Sequence, residues 1–283
     1  MKFSDIEGRT DIRHIRLIVA YDGTELGGYQ RQNNAPSVQG YLEDALSRVC
    51  GEPITVYGAS RTDAGVHAKF QVCTFLTTGR IPADNLTKAL IAFLPEYIVI
   101  RRAEEIPIVW KPRWNIVGKE YVYTIYNDET EQPLTARYHW HVRKRLDVGA
   151  MRTAAEGLVG THDFTGLKGA NSTETDPVKT IYGIDVAEAC AAEASGFAGT
   201  LRIRVTGDGF LYRMVRNIAG VLVDAGLGGL SPDDVERRLR LKDRCAFGKT
   251  APAQGLCLEE IFFTRERLDE VVRGYESGVL RIR

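Results

Sequence analysis

HIRLIVAYD, residues 14–22, places Ile15, Leu17, Val19 and Tyr21 at period two, the spacing of a strand with one buried face. It opens a succession of patterns that constrains the fold more than any other feature of the chain. The Gly-rich stretch GTELGGYQRQNNAP follows as a loop. Ser37 is placed to cap a helix in which Val38, Leu42, Ala45, Leu46 and Val49 recur at helical spacing, and Gly51 stands where a C-terminal cap is wanted. PITVYG reads as a strand, SRTDAGVHA as a loop and KFQVCTF as a strand; a helix over about Ala83 to Leu94 stops at Pro95, and YIVIRRAEE is a strand. The order is β-α-β-β-α-β, the ferredoxin-like pattern of an antiparallel sheet with two helices on a single face.

The second half repeats the scheme less sharply. Its expected elements are the strand ARYHWHV, a helix from about Asp147 to Leu158, the strands KTIYGIDVAEA and TLRIRVTG, a helix from about Phe210 to Ala225, and the strand GLCLEEIFF. An extra helix is expected after Ser231-Pro232, and KEYVYTIYN, residues 119–127, reads as a strand linking the halves. The fold class is α+β: two ferredoxin-like βαββαβ units, 1–115 and 116–283, forming an extended, mostly antiparallel sheet with helices on one face. A cleft between the two open sheet faces is the expected place for a site.

Composition narrows the function classes. The 283 residues are 44% hydrophobic and 26% charged, a folded rather than a disordered chain. Lys plus Arg and Asp plus Glu number 37 each, so a nucleic-acid partner has to be argued from local clusters. The opening MKFSDIEGRTDIRHIR has no apolar core, and no run of about 18 apolar residues occurs, which reads as a cytoplasmic protein. Cys50, Cys73, Cys190, Cys245 and Cys257 are odd in number and never form a C-x-x-C pair, so they are expected to be reduced thiols.

Asp63 is the chemically ambiguous residue. It suits an Asx-type turn, a metal site with His67 and the His139/His141 pair, or a nucleophilic carboxylate kept ionised by a neighbouring arginine such as Arg61. A metal is not expected, because these histidines lack a helix that would fix their spacing. G-x-S-x-G, H-E-x-x-H and phosphate-loop motifs are absent. In TLRIRVTGDGFLYRMVRNIAG, Arg202, Arg204, Arg213 and Arg216 stand off the apolar face and face only Asp208 in charge. That arrangement is either a solvated surface or a phosphate-binding one. Arg31 and the run Arg143, Lys144, Arg145 are further phosphate candidates, and Tyr121 and Tyr123 are either core residues or stacking platforms for a base.

RTDAGVHA resembles the active-site motif of the tRNA pseudouridine synthase I family. AYDGTELGGYQRQ, GKEYVYTIYN, HDFTG, FLYRMVRNIAGVLVDAG and APAQGLCLEEIFF follow in the family's order along nearly the whole chain. The resemblance implies Asp63 as the catalytic aspartate, Tyr121 stacking on the target base, Arg216 pairing with the aspartate, Arg61 at the active site and Leu256 packing against the base. It further implies isomerisation of uridine to pseudouridine in the tRNA anticodon stem-loop, at positions 38, 39 and 40, by a homodimer without metal or cofactor. The competing reading is a non-catalytic RNA-binding protein that uses paired sheets as a platform. Two departures stand out. Tyr29 replaces the usual Trp before Gln-Arg-Gln, and VWKPRWNI, 109–116, keeps Arg113 of the family's Phe-His-Ala-Arg but replaces its neighbours with Lys111 and Pro112.

Overall fold

The computed structural model describes residues 9–170, 172, 174–189, 199–242 and 247–276. The chain divides into two compact units. One comprises 1–116 with 258–261, the other 117–257 with 262–283.

In the first unit the chain runs β1 (Arg13–Tyr21), α1 (Val38–Cys50), β2 (Val56–Gly58), β3 (His67–Thr77), α2 (Ala83–Ile91) and β4 (Ile98–Glu105). The strands lie in the order β4-β1-β3, with β2 antiparallel on β3 through Val56↔Phe75 and Gly58↔Cys73. This is the ferredoxin-like order that the sequence pattern predicted. Ile15, Leu17 and Val19 are fully buried at the alternate positions of β1. Ser37 caps α1 by accepting from the Gly40 amide, and Gly51 ends it in the left-handed region at φ 71°. The buried face of α1 is Val38, Leu42, Ala45 and Leu46. Helix α2 stops at Ile91, three residues before the expected Leu94.

The second unit contains β5 (Gly118–Tyr126), β6 (Trp140–His141), α3 (Val148–Glu156), β7 (Gly160–Asp163), β8 (Val178–Glu188), β9 (Thr200–Gly207), α4 (Met214–Gly226), α5 (Pro232–Leu241), β10 (Leu256–Phe262) and α6 (Arg265–Glu276). Its strands follow β5-β9-β8-β7, all antiparallel. The central residues of β10, Leu258–Ile261, belong to the first unit, where Glu259 meets Lys69 of β3 at 2.8 Å.

KEYVYTIYN is a strand, as expected, paired with β9 from Lys119↔Gly207 to Tyr126↔Thr200. Three expectations need correction here. ARYHWHV is mostly not a strand: Ala136–Tyr138 form a 3-10 turn and only Trp140–His141 pair, in parallel, with β5. The imidazoles of His139 and His141 both face Glu131, at 2.7 and 3.4 Å, which accounts for the polar alternation. Helix α4 begins at Met214 rather than Phe210, because Arg213 adopts a left-handed φ of 60° and the Tyr212 carbonyl accepts from Gly169 instead. Finally, β7 and α6 were not expected. Leu268 and Val271 of α6 close over Phe262 with Val117, Tyr182 and Tyr275 around them.

A buried carboxylate organises the second sheet. Glu120 accepts from Arg204 at 2.7 Å and from the Thr206 and Tyr275 hydroxyls at 3.0 Å each. The Glu120 side chain is 3% exposed and that of Arg204 13%. Burial, then the Glu120 charge, drives the Tyr275 hydroxyl far above its ordinary pKa. A buried charge that loses its partner costs more than the pair contributed. Arg204→Met is therefore expected to lower stability by about 3 kcal/mol. The double variant Glu120→Leu/Arg204→Met should recover most of that loss in a urea titration.

Candidate active site

The aspartate loop is built by its neighbours in the first unit. Residues 59–66 join β2 to β3, with Asp63 at a half-buried position. The Tyr21 and Thr62 hydroxyls are bonded at 2.7 Å in the core, and the Tyr29 amide donates to the Thr62 carbonyl at 3.1 Å. The Val66 amide closes the turn on the Asp63 carbonyl at 3.2 Å, and Gly65 has a φ of 77° that suits glycine. A Cβ on Gly28 would lie 2.7 Å from the Thr62 carbonyl oxygen, so the opening loop presses directly on the aspartate turn. Nδ1 of His67 lies 3.0 Å from the Gly23 amide and 3.1 Å from Asp22, which ties the far end of the loop to β1. Gln71, fully buried, bonds both ways to the Ser60 backbone. Most of these contacts hold backbone and the Tyr21–Thr62 bond holds a side chain, so the loop is fastened on several sides of the carboxylate it carries.

Arg61 is exposed on the same loop. Tyr29 is buried against Gly58 and the Cys73 thiol, which burial pushes up to about 12. Arg31, taken from the sequence as a phosphate contact, is ion-paired to Glu43 and Asp44 of α1 at 2.9 Å each.

The second unit gathers its own set. Nε of Arg216, in the first turn of α4, donates to the Ala251 carbonyl at 2.8 Å. The Tyr123 hydroxyl donates to the adjacent Pro252 carbonyl, also at 2.8 Å. Asn217 accepts from the Thr250 hydroxyl at 2.7 Å and donates to the Leu167 carbonyl at 2.6 Å. Segment 249–256, which leads into Leu256, is thereby fastened to α4 and β5. A Cβ on Gly220 would lie 2.3 Å from the Lys249 carbonyl oxygen, and one on Gly255 2.6 Å from the Tyr123 ring. Gly220 lets FLYRMVRNIAG meet the chain where APAQGLCLEE begins, and Gly255 lets APAQGLCLEE meet Tyr123 of GKEYVYTIYN.

Tyr121 is buried on β5 opposite Val205, with its ring edge-on to Phe210 at 5.4 Å. Arg213 lies over the Tyr212 ring at 4.9 Å and is exposed, as is Arg143. Arg202 is half-buried on β9, while Arg204 is engaged by Glu120. HDFTG is a braced turn: Asp163 meets Lys242 at 2.7 Å and accepts from the Thr165 amide and hydroxyl. The ion pair with Lys242, then the Thr165 hydroxyl, holds its carboxyl at about 2.

Among the described residues, no three His, Cys, Asp or Glu side chains gather in a way that could hold a metal ion. Cys50, Cys73 and Cys257 are in no disulfide among the described residues; Cys190 and Cys245 lie outside them. No helix of the described residues is long and apolar enough to cross a membrane.

A sequence model described as tRNA pseudouridine synthase matches residues 17–115 and 154–264. The chain belongs to the tRNA pseudouridine synthase family. This makes it an isomerase acting on tRNA. It is 42% identical over 252 residues to tRNA pseudouridine synthase A of Brevibacillus brevis, covering 89% of this chain and 100% of that one. It is 40% identical to tRNA pseudouridine synthase A 2 of Clostridium tetani over 89% of this chain and 99% of that one. To tRNA pseudouridine synthase A of Clostridium kluyveri it is 38% identical, again over 89% and 100%. Asp63, Arg61, Arg216 and Leu256 fall inside the matched segments of the family, and Tyr121 and Arg143 fall between them. Sequence reasoning missed the bracing roles of Tyr21, Gln71, Tyr123 and Asn217: three of them lie within the quoted motifs, but only Tyr21 and Tyr123 stood out, through the period-two pattern.

Two outcomes follow from this geometry. Gly220→Ala drives a methyl into the Lys249 carbonyl, and should lower the thermal midpoint by the equivalent of about 1–3 kcal/mol and reduce turnover. Asp163, with its pKa depressed on folding, stabilises the protein fully above about its ordinary value of 3.8 and loses that contribution as pH falls toward about 2. Asp163→Asn should therefore cost less than about 1 kcal/mol at neutral pH, with the difference from native vanishing near pH 2 in an acid titration.

Proposed function

We propose that this enzyme converts uridine to pseudouridine in the anticodon stem-loop of tRNA, at positions 38, 39 and 40, with Asp63 as its catalytic residue. The observation that carries the reading is a carboxylate on a backbone-braced loop inside the family's matched segment. The uridine leaves its stack, at a cost of a few kcal/mol, to reach Asp63. The N1–C1′ bond breaks, the base turns, C5 bonds to C1′, and the proton released from C5 is balanced by one gained at N1. No redox partner or co-reactant is needed. Asp63 acts as a nucleophile toward C1′ or C6, or as a base on the ribose, and at neutral pH a carboxylate is ionised for either task.

Arg216 keeps the aspartate ionised and oriented, Tyr121 stacks on the turned base, Leu256 packs against it, and Arg61 stands at the active site. The exposed Arg213 and Arg143, together with Arg202, contribute phosphate contacts. Arg31 and Arg204 join that footprint only if their carboxylate partners release them. The enzyme works as a cytoplasmic homodimer without cofactor or metal.

Asp63→Ala should abolish tritium release from tRNA carrying C5-tritiated uridine while the protein still retains tRNA on a filter. Release at the native rate by that variant would remove Asp63 from the chemistry. A native enzyme that modifies only uridines outside the anticodon stem-loop would overturn the substrate assignment alone.

A further inference from the structure

The first unit carries a concave surface that shares Arg61 with the proposed active site and whose other residues the reaction just described leaves unused. A cavity of about 340 Å³ opens where segment 111–114 comes down beside Tyr57 and Gly58, with Arg61 on its wall. Its lining includes three cations, Arg61, Lys111 and Arg113, and neither Asp nor Glu. The turn that supplies two of them is internally closed. The Trp114 amide donates to the Lys111 carbonyl at 3.1 Å, and the Lys111 amide donates to the Asn115 side chain at 3.1 Å. Arg113 is anchored through Nε to the Gly58 carbonyl at 3.2 Å, which fastens the turn to β2. The surrounding protein, and then the like charge of Arg61, pull the Arg113 pKa below the ordinary guanidinium value. An anion placed between the two arginines relieves that repulsion.

Trp114 is 84% exposed, and Lys111 Nζ lies 5.8 Å from its ring centre. A large ring held out in water beside cations, on a hydrogen-bonded turn, is unexplained by packing. It matches the composition of a single-strand nucleic-acid surface: aromatic faces for bases, guanidinium and ammonium groups for phosphates. The volume lies at the small end of ligand pockets, enough for one nucleotide.

We propose that this pocket holds one unpaired nucleotide of the RNA substrate, its base on Trp114 and its phosphate between Arg61 and Arg113, with Lys111 adding charge at the rim. The inference rests on the tRNA-modifying reading above and extends it to a neighbour of the target uridine, because Arg61 is two residues from Asp63. Lys111 stands, with Pro112, where this chain departs from the family pattern, so its charge at the rim belongs to this chain.

The test uses the full-length enzyme and an unmodified tRNA transcript, with binding measured on filters at several salt concentrations and isomerisation measured in parallel. Trp114→Ala should raise the Kd for tRNA about tenfold, the lower part of the range for one base on one aromatic. Trp114→Tyr, which keeps a ring, should return it to within about threefold of native. Lys111→Ala should make the log Kd against log salt slope shallower by about one ion. Both positions are exposed, so unchanged melting curves are expected for all three variants. A Trp114→Ala enzyme that binds tRNA as tightly as native overturns the proposal, and so does a Tyr variant as weak as the Ala one. Uridine 5′-monophosphate quenching Trp114 fluorescence with no change in tRNA affinity between variants would assign the pocket to free nucleotides instead. A native enzyme that binds tRNA but makes no pseudouridine would sink the functional reading and leave the pocket to be judged on binding alone.

Discussion

The bond between the Tyr21 and Thr62 hydroxyls is the contact on which the aspartate loop depends. It joins the last residue of β1 to the residue before Asp63 at 2.7 Å, inside the core, where leaving either hydroxyl alone would cost about 1–3 kcal/mol. Around it the Tyr29 amide and the Gln71 amide secure different pieces of the loop backbone, and the His67 ring, just past the loop, accepts from the Gly23 amide. The catalytic role proposed for Asp63 would tolerate little displacement, and a loop fixed at this many points supplies that precision.

The second unit solves a similar problem with backbone carbonyls. Arg216 and Tyr123 donate to consecutive residues, Ala251 and Pro252, while Asn217 holds Thr250, so four side chains from α4, β5 and the segment itself determine where β10 begins. Arg213 sits in the left-handed region just before α4, which for a residue with a Cβ costs about 1–2 kcal/mol. Its neighbours impose that conformation: the Tyr212 carbonyl is taken by Gly169, and the Arg213 carbonyl accepts from Asn217.

Much of this was legible from residue patterns. Period-two runs gave β1, β3, β4, β8 and β9 close to their ends, and the Ser37 and Gly51 signals bracketed α1 within a residue, because capping is local chemistry. The errors lie where long-range bonding overrode local pattern. ARYHWHV alternates because two histidines reach one glutamate, not because a sheet buries one face. α4 starts late because the carbonyl of the third residue of the expected helix, Tyr212, is claimed by a distant amide. Of the proposed site, the motifs marked Asp63, Arg61 and Arg216, while the bracing roles of Gln71 and Asn217 had no repeat or spacing to set them apart. The basic surface was the least legible, since a one-dimensional count of arginines does not tell which already have a carboxylate.

That distinction reaches into how an RNA would be felt. Arg31 is held by Glu43 and Asp44, Arg204 by Glu120, Arg13 by Glu105 and Arg16 by Glu104. Contacts made by such residues exchange one intramolecular ion pair for an intermolecular one, and the acid left behind must recruit a cation from the buffer. The ions set free when a polyanion settles on this neutral protein are thus fewer than its arginines, and its grip should survive physiological salt better than an inventory of positive charge implies.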